Sequence, residues 1–214
     1  MSTLTDTAPK TGIWRTRIGS LLAVVPLSIW VVVHLWNNLS AFQGGDRWQD
    51  DVTTYAHPVA HLVTSIVVLL PLVLHTVWGV GRLLTSRPNN VRYGFFANLK
   101  YLLQRLSAVG LLLFLGAHLW LAMLKPRLVE GHAEAFSDIA HQMRTHMPTL
   151  VVYLLGTAGI AYHVANGLST FAMGWGIVSS KKALARVDML GAFVFVVLLA
   201  MGWGVIWALW QAGV

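Results

Sequence analysis

The sequence predicts an all-helical membrane protein, a bundle of five transmembrane helices. Of 214 residues, 56% are hydrophobic and only 11% charged, which fits neither a soluble domain nor a disordered chain. Runs without Asp, Glu, Lys or Arg cover 18–45, 52–81, 106–124, 145–180 and 189–214, and a helix needs about 20 apolar residues to cross a bilayer. None of the runs alternates in the manner of barrel strands, and a backbone in lipid must bond within its own segment, so helices follow.

The first helix is expected over about 18–41, with Gly44, Gly45 and Asp46 marking a turn. The second covers about 57–84, beginning at His57 or Pro58. Turn formers Ser86 to Asn90 precede the third, about 98–124. A long segment from Lys125 to Met147 follows, and Pro148 suits the first turn of the fourth, about 148–175. The fifth takes about 186–211, so that residues 1–214 form one membrane domain. Trp36, Trp120, Trp175, Trp203 and Trp210 stand near helix ends, where aromatic belts form. The first apolar run is too long for the h-region of a signal peptide, so the N-terminal segment reads as retained.

With alternate segments assigned to opposite faces, eleven of the 15 Lys and Arg fall on one side: Lys10, Arg15, Arg17, Arg82, Arg87, Arg92, Lys100, Arg105, Lys181, Lys182 and Arg186. The positive-inside rule then puts the N-terminus in the cytoplasm and the C-terminus outside. Topogenesis accounts for most of the formal net charge of +7, so no nucleic-acid partner is expected. Docking of an acidic cytoplasmic protein is a further use for the basic face.

Four histidines, His34, His75, His118 and His163, lie inside the apolar stretches, where ionisable groups are rare and mark function. A single one is equally well explained as a hydrogen-bonding contact between helices; four are not. Two echoes relate them. His34-Leu35-Trp36 in the first helix matches His118-Leu119-Trp120 in the third, and His75 with Gly79 in the second matches His163 with Gly167 in the fourth. Two imidazoles from facing helices fill both axial positions of a haem iron, giving a centre that transfers electrons and has no open site for oxygen. The chain has no cysteine, which excludes covalent attachment through C-x-x-C-H and thiolate-held clusters, so the expected cofactors are two non-covalent haems b.

Depth orders the pairs. At about 1.5 Å per residue, His34 lies about 25 Å beyond Arg17, His118 about 20 Å beyond Arg105, and His75 about 10 Å from Arg82. His34 and His118 therefore share the outer level. The depth of His163 alone leaves its level open, and the echo with the second helix assigns it to His75 as the inner pair. Gly79 and Gly167, one turn after their histidines, either leave room for the flat macrocycle or allow close helix packing. Arg17, Ser20, Gln104 and Arg105 at the cytoplasmic boundary are candidate partners for the inner propionates, snorkelling being the alternative for the arginines; Asn37, Asn38 and Ser40 are the nearest donors at the outer level. His57 and His61, one turn apart at the outer start of the second helix, are candidates for proton exchange with a quinone. With His132, His141 and His146 they match no established zinc spacing, and as loop residues they read as solvated.

The residues around the four histidines resemble one family. The segments RTRIGSLLAVVPLSIWVVVHL from Arg15 to Leu35, LLPLVLHTVWGV around His75, LLQRLSAVGLLLFLGAHLW leading to His118, and HVANGLSTFAMGWGI from His163 are similar to the five-helix, two-haem cytochrome b subunit of succinate:quinone oxidoreductase (complex II), of the single-anchor Bacillus type. The resemblance extends along nearly the whole chain and includes Gln104-Arg105, Asn166-Gly167-Leu168 and Trp175-Gly176. It implies that the four histidines are haem ligands paired first helix with third and second with fourth. It also implies an anchor in a bacterial cytoplasmic membrane, whose cytoplasmic face docks an iron–sulfur subunit carrying a flavoprotein. Electrons would run through the inner and outer levels to menaquinone or ubiquinone. Some fumarate-reducing relatives carry a glutamate two residues before the fourth ligand; here that residue is Ala161, a departure that speaks against that kind of proton path. A cytochrome serving a hydrogenase or formate dehydrogenase would need the same ligands, and a haem-free transporter would line a substrate path with them.

Overall fold

The computed structural model describes residues 11–54, 58–85 and 94–214, without the side chains of 11, 13, 15, 58, 60 and 61. Within them, five helices are long and apolar enough to cross a membrane: Thr16–Gln43, Leu62–Leu84, Phe96–Glu130, Met147–Gly174 and Lys181–Ala212. They correspond in order to the five expected from the uncharged runs, and most extend beyond the runs because their end turns admit charged or polar residues. The fifth begins at Lys181 because Ser180 caps it, its hydroxyl accepting from the Ala183 N–H at 3.1 Å.

The first span is not a uniform α-helix. Pro26 cannot donate a backbone bond, and the chain widens there into a π turn, Ala23–Leu27. Ser28 Oγ donates to the Ala23 carbonyl at 3.0 Å and so occupies an acceptor in the widened turn. The fourth span begins after His146, whose Nδ1 accepts from the Thr149 N–H. It stops at Gly176, where φ of +70° requires a residue without Cβ and the Ile177 N–H returns to the Ala172 carbonyl at 2.9 Å.

The fourth and fifth spans form the tightest pair. Gly191 lies against the Ala165 carbonyl, where an added Cβ would approach to 2.8 Å, and Gly202 lies against Thr157 at 3.1 Å. Small residues at such crossings let helices in lipid gain dispersion contacts. The second span is placed differently. It packs chiefly on the first, and residues such as Leu62, Ile66, Leu70, Val73 and Val77 are more than half exposed, which suits a face turned to lipid.

A cap covers the end of the bundle away from Arg17 and Arg105. The segment Lys125 to Met147, read from sequence only as a long connection, continues the third helix as a π turn, Pro126–Glu130, and then forms a ten-residue helix, Phe136–Thr145. Met143 is 0% exposed, and Ile139, Ala140 and Trp48 are also buried. Trp48 reaches the cap from the short helix Gly45–Trp48, its ring centre 5.6 Å from that of Phe136. Gln49 ties the two segments together: Nε2 donates to the Glu134 carbonyl at 2.9 Å, and Oε1 accepts from the Phe136 N–H at 3.1 Å.

Candidate functional site

The second span stands away from the third and fourth across a cavity of about 1100 Å³, more than the roughly 300–1,000 Å³ of a pocket for one small ligand. His34, His75, His118 and His163 all line it. The rings meet in two pairs: His34 and His118 with centres 5.8 Å apart, and His75 and His163 with centres 6.3 Å apart. A metal between two imidazoles, with bonds of about 2 Å to each nitrogen, sets ring centres about 6 Å apart.

Three of the four rings are held by their other nitrogen. His75 Nδ1 bonds the Gly19 carbonyl at 2.9 Å, His118 Nδ1 lies 3.1 Å from the Tyr153 hydroxyl, and His163 Nδ1 lies 3.2 Å from Ser107 Oγ. Each contact leaves Nε2 for a ligand bond and fixes the ring's plane, as supporting groups do at metal sites. Aromatic neighbours complete the support. Trp30 stacks on His34, Phe114 stacks on His118, and Trp78 tilts against His75.

The glycines separate into two kinds. At Gly19 an added Cβ would come within 2.3 Å of the Trp78 ring, and at Gly156 within 2.1 Å of Phe114; these serve packing. Gly79 and Gly167 line the cavity, and a Cβ there would meet nothing within 4 Å or only Gln104 Nε2 at 3.9 Å. Close helix contact therefore does not explain them. Open space does.

The basic end of the cavity carries all four residues assigned from sequence to propionates, in two different settings. Arg105 Nε is buried without a hydrogen-bond partner, and the Arg105 guanidinium lies over the Tyr101 ring. Arg17 lies over the Trp175 ring, with Nε donating to the Gly174 carbonyl at 3.3 Å. These two keep charge available for an anion. Ser20 and Gln104 are engaged by the protein. Ser20 Oγ accepts from Trp175 Nε1 at 3.2 Å, which makes Trp175 a tie between spans as well as an end-of-helix aromatic. Gln104 Oε1 accepts from Asn166 Nδ2 at 2.8 Å while its Nε2 donates to the His163 carbonyl at 3.2 Å.

At the other end, Asn37 and Asn38 line the cavity and Ser40 does not; Ser40 Oγ donates instead to the Asn37 carbonyl. Asn38 Oδ1 accepts from Trp48 Nε1 at 3.1 Å. His57 lies outside the described residues, as does the side chain of His61. Sequence reasoning did not single out Ser107, Trp78, Tyr153 or Glu134. Trp78, one turn after His75, is the one a helical register could have flagged.

A cavity with facing imidazole pairs, supported rings, a largely apolar lining and an unpaired guanidinium nitrogen at one end fits the demands of a bis-histidine macrocycle. No family model matches the chain. It is 27% identical over 197 residues to the succinate dehydrogenase cytochrome b558 subunit of Bacillus subtilis (strain 168), a match covering 90% of this chain and 94% of that protein. The resemblance to the complex II cytochrome b anchor read from the sequence is thereby borne out, and the chain is a multi-pass membrane protein of that likeness.

Proposed function

We propose that this chain is the membrane anchor and electron-transfer subunit of a bacterial succinate dehydrogenase or fumarate reductase, carrying two haems b between an iron–sulfur subunit and a membrane quinone. The observation that carries the reading is a cavity lined by two facing histidine pairs, in a chain similar along nine-tenths of its length to a succinate dehydrogenase cytochrome b subunit. In this reading His75 and His163 hold the inner iron, and His34 and His118 the outer one. A haem held between each pair of imidazoles would supply one-electron transfer there.

The remaining residues orient and shield. Gly19, Ser107 and Tyr153 hold three of the rings through Nδ1, Gly79 and Gly167 would leave space for the macrocycle's face, and Arg17 and Arg105 would meet the inner propionates. Ser20 acts one step back by holding Trp175, while Gln104 holds His163 through both its carbonyl and its ring Nδ1. The basic residues gathered at the Arg17 end support a cytoplasmic N-terminus, so that end docks the iron–sulfur subunit with its flavoprotein, and the capped end faces outward. Menaquinone or ubiquinone would exchange electrons with a haem held at the level of His34 and His118.

The test is a reduced-minus-oxidised spectrum and haem count on the intact complex purified from membranes. Two haems b per chain, both reduced by succinate, are expected, together with co-purifying flavoprotein and iron–sulfur subunits. Absence of a b-type α band, or co-purification with a hydrogenase, would overturn the assignment.

A further inference from the structure

Glu134 has a setting that haem ligation does not use. The residue is 4% exposed, yet its Oε1 has no hydrogen-bond partner, and a buried carboxylate oxygen is costly unless it is paired or protonated. Its position is fixed by backbone contacts, the Glu134 carbonyl accepting from Gln49 Nε2. Glu134 borders two spaces. It lines the main cavity at the end that also carries His34, His118 and Tyr153, and it lines a smaller pocket of about 490 Å³ with Lys125, Glu130, Asp138 and His141.

Burial, reinforced by Asp138 and Glu130 and opposed by Lys125 and His132, raises the Glu134 carboxyl to about 7. The other charged or titratable groups at this end of the main cavity are Asp51, Arg127 and Tyr153. A carboxyl that changes protonation near neutral pH is suited to give and take protons. Glu134 is the one buried side-chain oxygen among the described residues that lacks a partner.

We propose that Glu134 is the proton donor and acceptor for a quinone held at the capped end of the main cavity, the small polar pocket being the route by which that proton exchanges with water. This rests on the electron-transfer reading above. Reducing a quinone to a quinol takes two electrons, supplied singly from the partner's iron–sulfur clusters through the level of His34 and His118, and two protons. Each proton leaves the Glu134 carboxyl to form an O–H bond on a quinone oxygen, and the carboxylate is reprotonated from water through the pocket. Quinol oxidation reverses each transfer, so one residue serves both directions.

The experiment uses the intact complex with a short-chain naphthoquinone as acceptor. Glu134→Gln is expected to lower quinone turnover at least tenfold, to remove the limb of the pH profile near neutrality, and to leave both haems present and fully reducible by succinate. Wild-type turnover with an unchanged pH profile would overturn the proposal, as would loss of haem, which would make the residue structural. Should the Gln variant fail to assemble, Glu134→Asp decides: a displaced pH limb supports the role, and an unmoved one overturns it. A wild-type complex whose haems succinate does not reduce would instead count against the electron-transfer reading itself.

Discussion

His75, His118 and His163 each spend Nδ1 on the protein, and the partners differ in kind: a backbone carbonyl, a phenol and a serine hydroxyl. Removing such a support typically costs 10–100-fold in metal affinity. Tyr153→Phe should therefore weaken outer haem retention by about that factor while leaving the chain in the membrane, read as haem loss on dilution of the purified complex. Replacing a ligand is more severe. His34→Ala should leave one haem per chain, and a variant that keeps the outer haem spectrum would refute the pairing. The glycines give a contrasting pair of outcomes. Gly79→Leu places atoms where the protein has none and should lower haem content with the fold retained, whereas Gly19→Ala drives a Cβ into Trp78 and should cost about 1–3 kcal/mol of stability. Glu134 has a stability consequence of its own. Its carboxyl rises from 4.5 to about 7, so between those values the folded chain binds more protons than the unfolded one, and stability falls as pH rises through the window. The melting midpoint should drop between about pH 5 and about pH 8, and Glu134→Gln should flatten that slope.

At the scale of elements, the cap is the part that departs most from the sequence reading. Trp48→Ala would empty a position that is 4% exposed, and large aromatic truncations cost about 3–5 kcal/mol; thermal unfolding in detergent should show that loss, with the cap opening before the spans. The spans were legible because bilayer thickness demands long uncharged runs, a signal that survives any ambiguity at helix ends. The cap helix was not, because ten residues with Asp138, His141 and Arg144 carry no such run. Its signal was a register: Phe136, Ile139, Ala140 and Met143 lie at i, i+3, i+4 and i+7, one apolar face. The site divides along the same line. Repeated histidine positions one helix apart were readable, since each echo lies within a short motif. Tyr153 and Glu134 were not, because they are 35 and 16 residues from His118 and only the folded chain brings them to the same cavity.

For the molecule as a whole, the cavity governs how the bundle coheres. The fourth and fifth spans meet through glycines against backbone and Thr157, while the second leans chiefly on the first and faces the other helices across open volume. Anything that binds only the folded chain stabilises it in proportion to the logarithm of its concentration over Kd. Haem depletion should accordingly lower the melting midpoint, and hydrogen exchange should show the second span losing protection first, with the pair of fourth and fifth spans last. If haem fills the cavity as proposed, the second span would link the chain's folding to haem supply. On the proposed reading, a chain made when iron or porphyrin is scarce should leave that span poorly supported and open to membrane proteases, so the amount of folded chain in the membrane should follow the supply of haem.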